Sequence, residues 1–288
     1  MRAVVIAFVF ASLTGAQARE PKPGWNLFSP EQDVEMGKQS AREIEATRTI
    51  VHDDAITAYL EKIGARLAQS KHAGQFRFRF HVINDPNVNA FAYPGGPVFV
   101  DSGTIAVLDN ETELAAVLAH EMSHVALRHG THQASKAILV QAPAAFAQGY
   151  LEENDSMAAK IAKLGIDFTA RSIILKYSRE AESEADLNGI RILSDAGYDP
   201  EGLARFFKIL DAQGNQPHTR FATFLSDHPA PANRIQAIET AIEAQTRELP
   251  ERTYSESNVK EFARVKKAVA GLPAPAKRSD TELGGNTH

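Results

Sequence analysis

Asn110-Glu111-Thr112-Glu113-Leu114-Ala115-Ala116-Val117-Leu118-Ala119-His120-Glu121-Met122-Ser123-His124-Val125-Ala126-Leu127 decides how this chain folds. Its first four residues read as a helix start, with Asn110 as N-cap and Glu113, three residues on, as the reciprocal partner. The next six are apolar all round, and a helix without a polar face belongs in the interior. Two imidazoles and a carboxylate then follow, and groups of that kind are costly to bury unless they are paired or hold a metal. His120 and His124 lie one turn apart on one face, within reach of a single ion. Glu121 sits about 100° round the helix, placed to act on a water without being a ligand. The H-E-x-x-H arrangement suits zinc, with the Glu as general base.

A catalytic zinc takes three protein ligands and keeps a fourth position open. A third His six residues after the second is excluded here, because position 130 is Gly130 and Leu127 stands where that pattern needs glycine. His129 and His132 are out of register with His120 and His124 for the same ion, and are expected at the exposed helix end, near the carboxyl-terminal dipole. The other route is a carboxylate from a second helix. Ser178-Arg179-Glu180-Ala181-Glu182-Ser183-Glu184-Ala185-Asp186 precedes helically spaced Leu187, Ile190, Ile192 and Leu193. Glu182 and Asp186 are four apart and share a face, so one can ligate while the other fixes an imidazole by hydrogen bonding. Glu180 and Glu184 read as a solvated acidic stripe.

Outward from these helices, Ser29-Pro30-Glu31-Gln32 has the form of a helix start, followed by helical spacing through Val34, Met36 and Ile44. A second set runs through Ile56, Leu60, Ile63 and Leu67. Residues 76–83 alternate with period two and predict a strand with an aromatic inner face. Asn89-Ala90-Phe91-Ala92-Tyr93 and Val98-Phe99-Val100 predict a hairpin around Pro94-Gly95-Gly96-Pro97, with the prolines favouring an edge. The fold expected is α+β and predominantly helical, with a small sheet beside the central helix. Residues 133–176, Ala-rich around Pro143, are expected to form a mobile or lid-like insertion, and 273–288 a disordered tail.

Composition narrows the class further. The 288 residues carry 31 basic and 36 acidic side chains, a net charge of −5 without a basic run, which argues against nucleic acid as a partner. Met1-Arg2, the eleven apolar residues Ala3–Leu13 and Ala16-Gln17-Ala18 read as a secretory signal over residues 1–18, with an apolar run too short to span a bilayer. The domain is then expected over 19–272, in the periplasm or, second, secreted. With no cysteine, the chain has no acceptor for a lipoprotein anchor and no disulfide. Its twelve or so apolar residues near 133–150 cannot span a membrane but could rest on one.

Taken together, His120-Glu-Met-Ser-His124 and Glu182-Ser-Glu-Ala-Asp186 resemble the E-x-x-A-D form of the gluzincin pattern, that of the zinc metallopeptidase family of the CaaX prenyl proteases, HtpX, Oma and BepA. Asn89–Gly96 is similar to that family's N-A-F-A-x-P-G-G hairpin, Tyr177-Ser178-Arg179 stands ahead of the ligand Glu as it does there, and Ser226-Asp227-His228-Pro229 with Arg234-Ile235 resembles its T-H-P…R-I segment. The resemblance implies a zincin-type metalloprotease domain with one zinc per chain on His120, His124 and Glu182. It implies Glu121 as acid/base, Asp186 behind a ligand, and His228 as a group able to approach the zinc and hold a latent state. His228 as a helix cap is the other reading, and Arg234 either faces the site or pairs with an acid. Asn89, Ala90, Phe91 and Ala92 would bind a polypeptide substrate as an added strand. Neither the membrane spans of some relatives nor the repeat domain of BepA is expected from these residues. Two functions follow as expectations: a periplasmic endopeptidase acting on misfolded or envelope proteins, or a latent, chaperone-like protein in outer-membrane assembly.

Overall fold

Ser29 accepts a hydrogen bond from Gln32 N–H while Gln32 Oε1 accepts from Ser29 N–H, a capping box that starts α1 (Pro30–Thr47). The computed structural model describes residues 20–147, 177–212, 220–228, 233–248, 254 and 258–275. The expected signal, residues 148–176 of the expected insertion and the tail beyond 275 fall outside the described residues. The buried face of α1 is Asp33, Gly37, Ser40, Ala41 and Ile44, so small and polar groups contribute more to it than the predicted Val34 and Met36. Asp53 caps α2 (Asp54–Leu67), which buries Ile56, Leu60, Ile63 and Leu67 as the spacing predicts.

Three short strands follow: β1 (Arg79–Ile83), β2 (Ala90–Ala92) and β3 (Pro97–Asp101). The predicted first strand begins three residues late, but Phe78 and Phe80 do turn inward. The sheet order is β1-β3-β2, with β1 parallel and β2 antiparallel to β3. The predicted hairpin is therefore present, and β2 is an edge. Pro97, expected to mark an edge, instead opens the central strand, where a first residue need not donate to the ladder.

After α3 (Ser102–Val107), α4 (Glu111–Ala126) runs through the centre with all sixteen residues buried. Asn110 caps it, and Glu113 returns to Asn110 Nδ2 and to Asp109 N–H. Buried Glu111 accepts from the Tyr59 and Tyr198 hydroxyls. Arg128, at φ 57°, breaks the chain before α5 (His129–Ala147). Residues 133–147, assigned to a lid-like insertion, instead continue this helix, with Ala134 and Ile138 in the interior. Against α4 packs α6 (Arg179–Asp195), with Asn188 Nδ2 donating to Ser123 Oγ. The chain continues through α7 (Glu201–Ala212), α8 (Ala222–Asp227), α9 (Arg234–Glu248) and α10 (Val259–Ala270). Just beyond α10, Pro273 O accepts from Asn84, so the start of the expected tail is tied to the domain. No described helix is long and apolar enough to cross a membrane.

Candidate metal centre

The middle of α4 has no apolar alternative to offer water, so its polar groups must find partners inside the protein. His120 and His124 turn the same way, with Nε2 atoms 3.1 Å apart. Across from them α6, started by the Ser178 cap on Ala181 N–H, brings Glu182 of its first turn inward. Glu182 Oε2 lies 3.5 Å from His120 Nε2, and Glu182 Oε1 lies 3.5 Å from His124 Nε2. His228, the C-cap residue of α8, completes the group, with Nδ1 3.4 Å from His120 Nε2 and 3.1 Å from Glu182 Oε1. All four side chains are buried, and their ligand atoms lie within 4.8 Å of one another. Both readings of His228 thus meet: its main chain closes a helix, though the one before Pro229, and its side chain enters the site.

Behind this group stands a carboxylate–guanidinium layer. Asp186 Oδ1 lies 3.0 Å from His120 Nδ1, leaving Nε2 to face the centre. Arg234 clamps Asp186 through two hydrogen bonds of 2.7 and 2.8 Å and reaches Glu182 Oε2 at 2.9 Å. It lies over the Phe207 ring, 4.0 Å from its centroid. Arg234 therefore faces the site by pairing with its acids, joining the two sequence readings. Glu121 Oε1 lies 3.5 Å from His228 Nε2 and accepts no hydrogen bond among the described residues.

Burial is the first influence on these proton affinities, and at some groups neighbouring charges outweigh it. It pushes the Glu121 carboxyl up to about 8, against the pull of His228. It drives His124 well below the ordinary histidine range. For Asp186, burial is outweighed by Arg234 and His120, which hold the carboxyl below its usual value. Three imidazole nitrogens at 3.1 and 3.4 Å from one another cannot each hold a proton along those short lines, so lone pairs converge where a cation would accept them. Histidine nitrogens with one carboxylate suit a zinc-type ion, so the residues fit a metal.

Two neighbours escaped the sequence reading. His129, placed at an exposed helix end, is buried, with Nδ1 3.0 Å from His124 Nδ1. A continuous helix would carry His129 off this face, but the left-handed Arg128 turns it back onto His124. Glu184, placed in the solvated stripe, is half exposed and meets His129 Nε2 at 3.3 Å, whereas Glu180 is exposed as expected. Tyr177 stacks on the His124 ring at 3.9 Å. His132 sits at the helix start and bonds Trp25 O at 2.6 Å.

The predicted substrate strand borders this centre but is not open along its length. Tyr93 N–H donates to Pro97 O and Asn89 O accepts from Asp101 N–H, so residues 89, 91 and 93 face β3. Residues 88, 90 and 92 consequently face the edge. There Val88 N–H donates to Arg220 O, just ahead of α8, and Ala90 N–H donates to Asn89 Oδ1. Asn89 Nδ2 in turn donates to Asp227, beside His228. Asn89, Ala90, Phe91 and Ala92 are all buried, Phe91 against Tyr93 and Phe99.

Comparison with known proteins agrees with this geometry. The model of peptidase family M48 matches residues 54–242, which contain both central helices. The beta-barrel assembly-enhancing protease of Escherichia coli K12 is 30% identical over 207 residues, covering 71% of this chain and 42% of that protein. The mitochondrial metalloendopeptidase OMA1 of Schizosaccharomyces pombe is 31% identical over 202 residues, covering 70% of this chain and 58% of its own. A putative beta-barrel assembly-enhancing protease of Vibrio cholerae is 31% identical over 218 residues, with 43% of its length covered. The chain thus spans less than two thirds of these relatives. With the family's match laid over an interior helix whose two histidines meet a glutamate from the next, this chain belongs to peptidase family M48.

Proposed function

We propose that the protein is a zinc-dependent metalloendopeptidase that cuts internal peptide bonds. The observation that carries this reading is the meeting of His120, His124 and Glu182 in the interior, with Glu121 one residue along the same helix. Those three would hold one zinc ion per chain. Bound there, zinc supplies Lewis acidity, polarising a carbonyl and easing deprotonation of water. Glu121, whose Oε1 accepts no hydrogen bond among the described residues, is placed to take the proton of the attacking water and return it to the leaving amine. Asp186, held by Arg234, keeps His120 turned with Nε2 inward. An extended polypeptide would pair with the outward groups of Ala92 and, once Asn89 Oδ1 releases Ala90 N–H, with those of Ala90.

The name beta-barrel assembly-enhancing protease, carried by two of the relatives, supports a role beside β-barrel assembly, and misfolded or envelope proteins are the substrates proposed on that basis. The apolar start of the sequence supports export to the periplasm by a cleaved signal. In the test, full-length protein loaded with zinc should cleave casein, and chelation should stop it. Glu121→Gln should bind one zinc and lose at least about 100-fold in rate. Wild-type activity in that variant, or no zinc in the wild type, refutes the reading.

One observation favours a latent form of this enzyme. His228 lies among the donors, and the segment that bears it is bonded to the edge strand at Val88 and, through Asp227, at Asn89. His228→Ala should then raise casein cleavage several-fold. A fall to background would instead make His228 part of the catalytic machinery, and a chelator-insensitive holdase with no cleavage in any variant would favour the chaperone-like alternative.

A further inference from the structure

His124 has two working nitrogens, and only one faces the donor group. Its Nε2 lies 3.1 Å from His120 Nε2 and 3.5 Å from Glu182 Oε1. Its Nδ1 lies 3.0 Å from His129 Nδ1, and His129 Nε2 lies 3.3 Å from Glu184 Oε2. The line runs from the buried centre to a carboxylate that is 47% exposed.

Two facing Nδ1 atoms share one hydrogen. A His124 that offers its Nε2 lone pair to a cation carries its hydrogen on Nδ1, so His129 Nδ1 must accept. The remaining hydrogen of His129 then sits on Nε2, directed at the Glu184 carboxylate. Each link allows one tautomer, and the carboxylate end selects it. A hydrogen bond of this kind orients a ligating imidazole and strengthens it as a donor. Asp186 fills that place directly behind His120. Among the described residues no carboxylate meets His124 Nδ1, and His129 occupies the position.

We propose that His129 is a positioning residue for His124, fixing its ring orientation and tautomer, with Glu184 as the anchor at the solvent end. The two histidines of the H-E-x-x-H pair are then backed unequally, one by a charged carboxylate and the other by a neutral imidazole relay. The local chain is built for this contact. In a continuous helix, residues 124 and 129 would point about 140° apart. Arg128 interrupts the helix with φ 57° and is itself held by Asp33, which places the His129 ring on His124.

This inference rests on the metal-binding reading above, and zinc affinity separates the two. The full-length wild type, His129→Leu, His129→Asn and Glu184→Ala would be titrated with zinc against a chromophoric chelator, and the visible spectrum of each cobalt-loaded protein recorded. Asparagine can set its amide oxygen where His129 Nδ1 stands, whereas leucine only fills the space. His129→Leu should weaken zinc binding by about 10–100-fold and shift the cobalt bands. His129→Asn should recover most of that loss and restore the bands, and Glu184→Ala should weaken zinc by a smaller factor of about three. Wild-type affinity in the leucine variant, or equal losses with leucine and asparagine, overturns the proposal, since packing alone would then explain His129. Should the leucine variant fail to fold, Glu184→Ala decides, because Glu184 is half exposed and its unchanged affinity removes the relay. A wild type that binds no zinc overturns the metal-binding reading itself.

Discussion

Asp101 ends the central strand, is 1% exposed, and has a carboxyl oxygen without a hydrogen bond among the described residues. Burial, with Asp85 adding to it, pushes its carboxyl up to about 8 from an ordinary value of 3.8. The folded protein therefore holds a proton there that the unfolded chain has already lost above pH 4. Its contribution is fullest below the unfolded value, declines as pH rises from about 4 to 8, and levels off above. Asp101→Asn should thus gain stability relative to wild type between pH 5 and 8.5, read from urea unfolding at both values. An equal difference at the two pH values would show that Asp101 is ionised in the fold. At this scale the sequence was informative where chemistry forced it. His120, Glu121 and His124 stand out because an apolar helix has no other use for them, and Asp186 follows from Glu182 by helical spacing. His129 did not stand out, since its role depends on one backbone angle at Arg128 that composition does not reveal.

That angle belongs to the junction of α4 and α5. A non-glycine residue in the left-handed region costs on the order of 1 kcal/mol, and the side chain offsets it. Arg128 forms two hydrogen bonds with Asp33, at 2.7 and 2.9 Å, and a third with Phe28 O. Asp33 is buried in the first turn of α1, so Arg128→Ala leaves a carboxylate without its partner. A loss of about 3 kcal/mol is expected in urea unfolding, and a double variant with Asp33→Asn should lose less than the two singles summed. Packing of α1 against the hairpin is equally intolerant. A Cβ on Gly37 would stand 1.9 Å from Pro94 O. Gly37→Ala should therefore lower the melting temperature despite alanine's better helix propensity. Several elements were legible from periodicity and caps: α1, α2, α4, α6 and the hairpin. The parallel pairing of β1 with β3 was not, because strand order depends on the path of the connecting chain. The buried face of α1 was also hidden, since Asp33, Gly37 and Ser40 carry no hydrophobic signal.

Across the molecule, the proposed metal and the fold support each other. His120, His124, Glu182 and His228 come from α4, α6 and the end of α8, so an ion held among them would cross-link three segments far apart in sequence. Binding to the folded state alone adds about 4 kcal/mol at a thousandfold excess over Kd. For a domain of this size, stripping zinc should lower the melting midpoint by on the order of 10 °C, reversed on zinc return and visible by calorimetry. An unchanged midpoint would mean that the interior polar groups are satisfied without an ion. The first described residues show a different, looser attachment. Residues 25–27 lie across α5 through bonds from His132 to Trp25 O, Asn26 to Thr131, and Leu27 N–H to Ser135, and Trp25 is 49% exposed, edge-on to His132 at 5.2 Å. Trp25 is also the sole tryptophan of the sequence. Intrinsic emission excited at 295 nm therefore watches this strap and not the centre of the protein. Its denaturation curve should run ahead of the circular dichroism signal, and an investigator using fluorescence alone would mistake the peeling of a short leader for the collapse of the enzyme.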